Sequence, residues 1–253
     1  MIIDSFENKQ KILDNFLKIV AFEDWSKETL ILATKNSGID EKLLPIIFEN
    51  DILSLIEFLT QTRCQQLKEI VENNQNFNSK KTHEKISYLV FNLLNLDKDN
   101  KIALKRLINF YGDPHHVIPL KNCNKNLGLK PLYQSFKEVY YVADFLWNLC
   151  LDKSTDFNFY SKRLTLSKVL IRSFLFYIDD ESKNSEKTQN IIDLQMKKII
   201  NFAKAKNAGK EKINNLKDYL EKNILDQNTD LKNPIDLLKN LPFFRLIKKN
   251  IFK

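Results

Sequence analysis

FNFYSKRLTLSKVLIRSFLFYI, residues Phe157 to Ile178, carries Leu164, Leu166, Val169, Leu170, Ile171, Phe174, Leu175, Phe176 and Ile178 around most of a helical circumference. A helix apolar on nearly every side is expected to be central and buried. Arg172 on it is read as a snorkelling side chain, with a paired buried charge as the alternative. The preceding segment, about Leu129 to Leu149, sets Leu132, Tyr133, Phe136, Val139, Tyr140, Ala143, Leu146 and Trp147 on one wide aromatic stripe, which again spells a long helix. Two such neighbours either close-pack their rings or line a pocket for a long apolar ligand.

Working outward, the whole chain of 253 residues holds only 4 Gly and 6 Pro, too few for the turns of a sandwich or barrel. An all-α fold follows. The length suits one large domain or two small ones, and a hydrophobic content of 43% fills a real core. Gly38, Gly112, Gly128 and Gly209 lie too far apart to build a P-loop or a G-x-G-x-x-G turn, which excludes the common nucleotide and dinucleotide enzymes.

Toward the N-terminus, Ile12, Leu13, Phe16, Leu17, Ile19 and Val20 give an amphipathic helix over Phe6 to Phe22. Ser26 is placed to cap a second helix that Asn36-Ser37-Gly38 ends. Asp40 caps a short element with Pro45 interrupting it or setting its true start, and a longer helix runs to about Val71. This order is that of a helix-turn-helix head. Between Ser26 and Asn50, however, Lys27, Lys35 and Lys42 face Glu28, Asp40, Glu41 and Glu49, and a net −1 opposes the phosphate neutralisation on which DNA readers depend. The head is therefore read as structural. A polar loop, Asn73 to Thr82, leads to helices at about His83–Leu96 and Lys101–Tyr111.

Cys64, Cys123 and Cys150 form no C-x-x-C pair and favour a reducing compartment. His115 and His116 sit in a Pro-flanked loop with no partner at metal-ligand spacing, so no metal and no cofactor are expected. The start, from Met1 to Glu7, has no long apolar core, and no targeting segment is expected from it. No stretch of about 18 apolar residues spans a bilayer. No paired acid and base or nucleophile and base stands out, and the protein is read as a non-enzyme.

Charge divides unevenly. Residues 1–195 hold 26 basic against 26 acidic side chains, whereas residues 196–253 hold 14 against 6, so the net +8 lies wholly in the last 58 residues. At about 100° per residue, Phe243, Phe244, Leu246, Ile247 and Ile251 share one arc of a final helix and Arg245, Lys248, Lys249 and Lys253 the other. That helix suits an anionic bilayer interface, with docking on the protein's own body as the alternative.

The run Leu151-Asp152-Lys153-Ser154-Thr155-Asp156-Phe157-Asn158-Phe159-Tyr160-Ser161-Lys162-Arg163, preceded by Trp147, resembles the S-T-D-F-N-W-Y-T-[KR]-R signature of the ubiquinone-biosynthesis accessory lipid-binding proteins, the ninth coenzyme Q protein family. Weaker similarity extends over roughly residues 5 to 205, from Trp25-Ser26 to Tyr177-Ile178-Asp179-Asp180-Glu181-Ser182. Phe159 stands where the family usually has Trp, and the passage Asn122 to Asn126 is longer than the family's helix junction. The resemblance implies a TetR-like bundle with a degenerate head. It further implies a pocket for an isoprenoid or quinone precursor near Tyr140, Trp147, Phe174 and Tyr177. A patch at Asp156, Phe159, Tyr160 and Arg163 is implied to face the di-iron hydroxylase of ubiquinone synthesis, and a C-terminal amphipathic helix to touch the membrane.

The expectation is a head over residues 1–72, a lipid-binding body over 73–205 and a basic tail over 206–253. The function expected is lipid presentation without catalysis and without nucleic acid, by a homodimer held peripherally on the cytoplasmic side of a bacterial inner membrane. A TetR-like repressor and a ligand-free helical adaptor are the rivals.

Overall fold

The computed structural model describes residues 5–49, 51–112, 130–154 and 156–208. Every regular element among them is helical, so the fold is all-α. Helix α1 (Phe6–Ile19) starts on Ser5, whose hydroxyl accepts from the Asn8 amide at 3.2 Å, and buries Ile12, Leu13, Phe16 and Leu17. Helix α2 (Lys27–Asn36) is capped as expected by Ser26, which accepts from the Thr29 amide at 3.2 Å. It ends before Gly38, whose φ of +72° a Cβ would oppose. Asp40 caps a 3-10 turn at Glu41–Leu43 through the Lys42 amide, and Pro45 falls in the first turn of α3 (Leu44–Phe48), setting a start rather than a break.

Asp51 accepts from the Leu53 amide at 2.9 Å and opens α4 (Ile52–Glu72). There follow α5 (Thr82–Asn95), α6 (Lys101–Gly112), α7 (Lys130–Leu149), α8 (Asp156–Tyr177) and α9 (Glu186–Ala208). The polar loop before α5 is anchored by Phe77, 1% exposed and edged by Tyr88 at 5.9 Å. Helix α9 has no counterpart in the sequence reading, because its buried stripe is narrow. Ile192 and Met196 are buried and Ile199 packs beside them, while polar and charged residues fill most of the remainder.

Two apolar cores result. The first joins α1, α2, α3 and the start of α4 to Ala103, Leu104 and Leu107 of α6, so α6 closes the core under the head. Trp25 fixes that closure: its indole N–H donates to the Ala103 carbonyl at 2.9 Å, and its ring meets Phe16 edge-on at 5.0 Å. The second core draws together α5, α7, α8, α9 and Leu67 of α4. Phe174 packs against both. Arg63 of α4 clamps Asp97, just past α5, with Nε 2.9 Å from both carboxylate oxygens and Nη2 2.6 Å from one, a bidentate geometry suited to a nearly buried pair.

Helix α8 departs from its expected burial. Leu166, Val169, Leu170 and Tyr177 are buried, but Leu175 and Phe176 are 39% and 38% exposed, and Lys168 and Arg172 are also exposed. The circumference is apolar, yet no described element covers this side; Arg172 accordingly reaches solvent. No helix among the described residues is long and apolar enough to cross a membrane. The final helix with Phe243, Phe244, Arg245, Leu246, Ile247, Lys248, Lys249 and Ile251 lies outside the described residues, as does the His115–His116 loop.

Candidate functional site at the helix corner

Helices α7 and α8 pack side by side, joined by a short corner whose backbone is closed by two hydrogen bonds. The Leu151 amide donates to the Asn148 carbonyl at 3.0 Å and the Asp152 amide to the Trp147 carbonyl at 3.1 Å. With Leu151 at φ +58°, this is a Schellman close, the two bonds satisfying carbonyls the helix end would leave open.

The corner delivers Asp152 beneath α8. Its carboxylate accepts from Lys162 Nζ at 2.6 Å and from the Ser154 hydroxyl, with Arg163 Nη1 at 3.5 Å. Burial alone would raise its pKa, but the hydrogen bonds from Lys162 and Ser154 hold it below the usual carboxylate value. Arg163 is 1% exposed; its Nε donates to Asp144 of α7 at 2.5 Å and its Nη1 to the Phe159 carbonyl at 3.2 Å. The guanidinium also lies 3.3 Å from the centroid of the Phe159 ring, and Lys162 stands 5.0 Å over Trp147. Two cations and two carboxylates are thus neutralised internally around an aromatic cluster.

Of the residues read as partner-facing, Tyr160 is 53% exposed, Phe159 is half-buried, and Arg163 does not reach the surface at all. Arg163 is the organiser of the corner: neither a solvated charge nor an exposed anchor. The side chain of Asp156 lies outside the described residues. Asp144, Asp152 and Lys162 complete the cluster, but their sequence separations gave no sign of the pairing.

The four residues read as lipid-binding fall in two places. Tyr140 and Trp147 lie beside the corner. Burial raises the Tyr140 phenol, with Arg163 pulling the other way. The Trp147 indole N–H is buried with no partner among the described residues. Phe174 lies eleven positions beyond Arg163, roughly 16 Å along α8 at 1.5 Å per residue. Tyr177, wholly buried, belongs to another junction. Lys101 stands 4.2 Å over its ring, and burial, with Asp97 and Asp99 nearby, pushes its phenol up to about 12. Clefts of about 420 Å³ between α5 and α9 and about 500 Å³ between the α1–α2 turn and α6 are lined by none of these four.

One further acid is buried in the body. Glu138 on α7 takes hydrogen bonds from Gln134 and Thr60, and burial, aided by Glu57, raises its pKa. Among the described residues no group of His, Cys, Asp and Glu is arranged to hold a metal ion.

Fold and corner together define an all-α helical protein whose head has the element order of a helix-turn-helix and whose body is organised by a charge-closed aromatic junction. Residues 132–203, which span α7, α8 and most of α9, match the family model COQ9. The chain is also 25% identical over 222 residues to the "Probable ubiquinone biosynthesis protein coq9, mitochondrial" of Dictyostelium discoideum, covering 85% of this chain and 67% of that protein. Both matches agree with the resemblance carried by Ser154–Arg163: the chain is similar to the COQ9 proteins of ubiquinone biosynthesis.

Proposed function

We propose that this protein serves ubiquinone biosynthesis as a non-catalytic accessory, binding an isoprenoid or quinone precursor in its helical body and presenting it to the di-iron demethoxyubiquinone hydroxylase at a membrane. The observation that carries this is the coincidence of the COQ9 match, residues 132–203, with the helices that build the corner. The head over 1–72 is structural, the body over 73–205 holds the lipid, and the tail over 206–253 contacts the anionic bilayer peripherally. Residues 206–253 hold 11 basic against 6 acidic side chains, +5 of the chain's net +8, which supports that contact. The assembly is a homodimer.

The outer face of the head supports the absence of a nucleic-acid partner. The 3-10 turn before α3, α3 itself and its C-cap expose Glu41, Lys42, Pro45, Ile46 and Glu49, and Lys35 is tied to Glu41 at 2.7 Å, leaving little to neutralise phosphates. Organic extraction and mass spectrometry of the protein purified without detergent tests the lipid reading. Stoichiometric isoprenoid or quinone above a buffer control is the expected result; a well-folded sample with none overturns it in favour of a ligand-free adaptor.

A further inference from the structure

Ser87 of α5 is 8% exposed. A serine inside a helix often returns its hydroxyl to the carbonyl four residues back, as Ser167 does to Arg163 at 2.9 Å. The Ser87 hydroxyl makes no such bond and has no other partner among the described residues. It lines the cleft of about 420 Å³ between α5 and α9. Leaving a polar group of a buried residue unpaired costs stability, so this hydroxyl is a first sign of a bound molecule.

The α9 wall of the cleft gives the second. Asp193 and Lys197 both line it and stand four residues apart, acid first, the spacing and order at which a helix pairs its charges best. Glu7 and Lys11 do so on α1 at 3.0 Å. Asp193 and Lys197 do not: among the described residues, Asp193 takes the side-chain amide of Gln189 at 3.1 Å, and the exposed Lys197 joins no ion pair. Two opposite charges are therefore available at one opening. Of the other ionisable groups there, Glu84 is spent on the Lys81 amide at 2.9 Å, and His83 lies 4.0 Å from the same carboxylate group. Met196, 7% exposed, and the half-buried Ile200 supply an apolar wall.

An anion alone would meet Asp193 and a cation alone Lys197, whereas a molecule carrying both charges satisfies each and gives Ser87 a partner. The two side chains leave α9 roughly 6 Å apart along its axis. A flexible lysine stem spans that gap to an anionic group only a few bonds from an ammonium.

We propose that the α5–α9 cleft is a binding site for a small zwitterion, a primary ammonium close to an anionic oxygen group and joined to an apolar chain. Asp193 takes the ammonium, Lys197 the anionic group, Ser87 adds a hydrogen bond, and Met196 and Ile200 meet the chain. The site is separate from the four residues read as lipid-binding. Its chemistry is shared by a free apolar α-amino acid and by the head of an ethanolamine phospholipid.

The test is calorimetric titration of the full chain with L-leucine, L-leucinamide, N-acetyl-L-leucine and monomeric dihexanoylphosphatidylethanolamine. Leucine is expected to bind at least about tenfold more tightly than either analogue that lacks one charge. Lys197→Met should bring leucine down to the level of leucinamide and leave leucinamide within about twofold, and Asp193→Asn should do the same with N-acetyl-leucine as the reference. Ser87→Ala should weaken leucine about fivefold, with a Tm no lower than wild type because the hydroxyl has no protein partner to lose. Binding of the phospholipid in place of leucine, with the same dependence on Asp193 and Lys197, supports the site and assigns it to a lipid head. No binding of either zwitterion, leucine bound no more tightly than its analogues, or affinity indifferent to both α9 substitutions overturns it. A lower Tm for Ser87→Ala would show the hydroxyl engaged within the fold and remove the observation on which the site rests.

Discussion

Arg163 Nε lies 2.5 Å from Asp144 Oδ1 across the α7–α8 interface, with the guanidinium only 1% exposed. Nineteen residues separate the two in sequence, so the pair is a statement about tertiary structure: it sets how far one helix sits along the other. Asp152 approaches the same guanidinium from the corner at 3.5 Å. A buried ion pair contributes little over an apolar replacement of equal shape, but removal of one member leaves the other uncompensated. Arg163→Ala deprives Asp144 of its ion pair, leaves Asp152 to Lys162 and Ser154 alone and empties a buried site, and is expected to cost about 3 kcal/mol in urea denaturation. Arg163→Lys recovers part of this, because a lysine cannot bridge both carboxylates and stack on Phe159 at once. A loss under about 1 kcal/mol for the alanine variant would mean that the corner is held by apolar contact alone.

Asp180 closes the α8–α9 junction, where one oxygen takes the Ser182 amide at 2.9 Å and the other the Thr188 amide at 2.8 Å, with both hydroxyls adding to the set. Burial alone would raise its pKa, yet these hydrogen bonds hold it at about 2, against an ordinary 3.8. A depressed acid stabilises the fold above its unfolded pKa, and that contribution fades as pH falls from about 4 toward 2. Asp180→Asn should lie about 2 kcal/mol below wild type at pH 6 and converge with it near pH 2 when unfolding is followed across that range. A constant difference at every pH would assign the loss to shape rather than charge.

How much of this could be read from the chain depends on whether the signal is local. The head was legible residue by residue, since Ser26, Gly38, Asp40 and Pro45 act within one turn of themselves. The class of α7 and α8 was legible because apolar content and periodicity are local too. The direction of Arg163 was not: on a helix that is apolar nearly all round, no spacing says which neighbour supplies Asp144. The surroundings of Tyr177 were hidden for the same reason, its ring looking apolar in sequence while Lys101, Asp97 and Ser185 lie near it. The backbone sign at Leu151 left no trace either, because the residue that would have announced it is the one not there.

The tail prediction rests on amphipathic spacing. Phe244→Asp with Ile247→Asp changes only the apolar arc of the expected final helix, so sedimentation with anionic liposomes should fall to background while the helical melt of the body stays put. Liposome binding retained by the double variant would move the membrane contact to another surface.

Glu138 gives the opposite pH sign from Asp180. The residue is 8% exposed on α7, and burial, reinforced by Glu57, raises its pKa against the hydrogen bonds of Thr60 of α4 and Gln134. An acid raised on folding binds its proton more tightly in the native state, so its contribution is full below the unfolded pKa and is lost as pH rises from there through the folded pKa. Glutamine mimics the protonated form in shape and keeps an acceptor for Gln134 and Thr60. Glu138→Gln is therefore expected to leave stability near wild type at pH 4.5 or so and to exceed it at about pH 8, where wild type must either ionise a buried group or hold its proton at a cost. Thermal melts of the two proteins at both pH values decide the matter. A glutamine variant less stable by the same amount at each would show that Glu138 is ionised and paired, and that the α4–α7 contact depends on its charge.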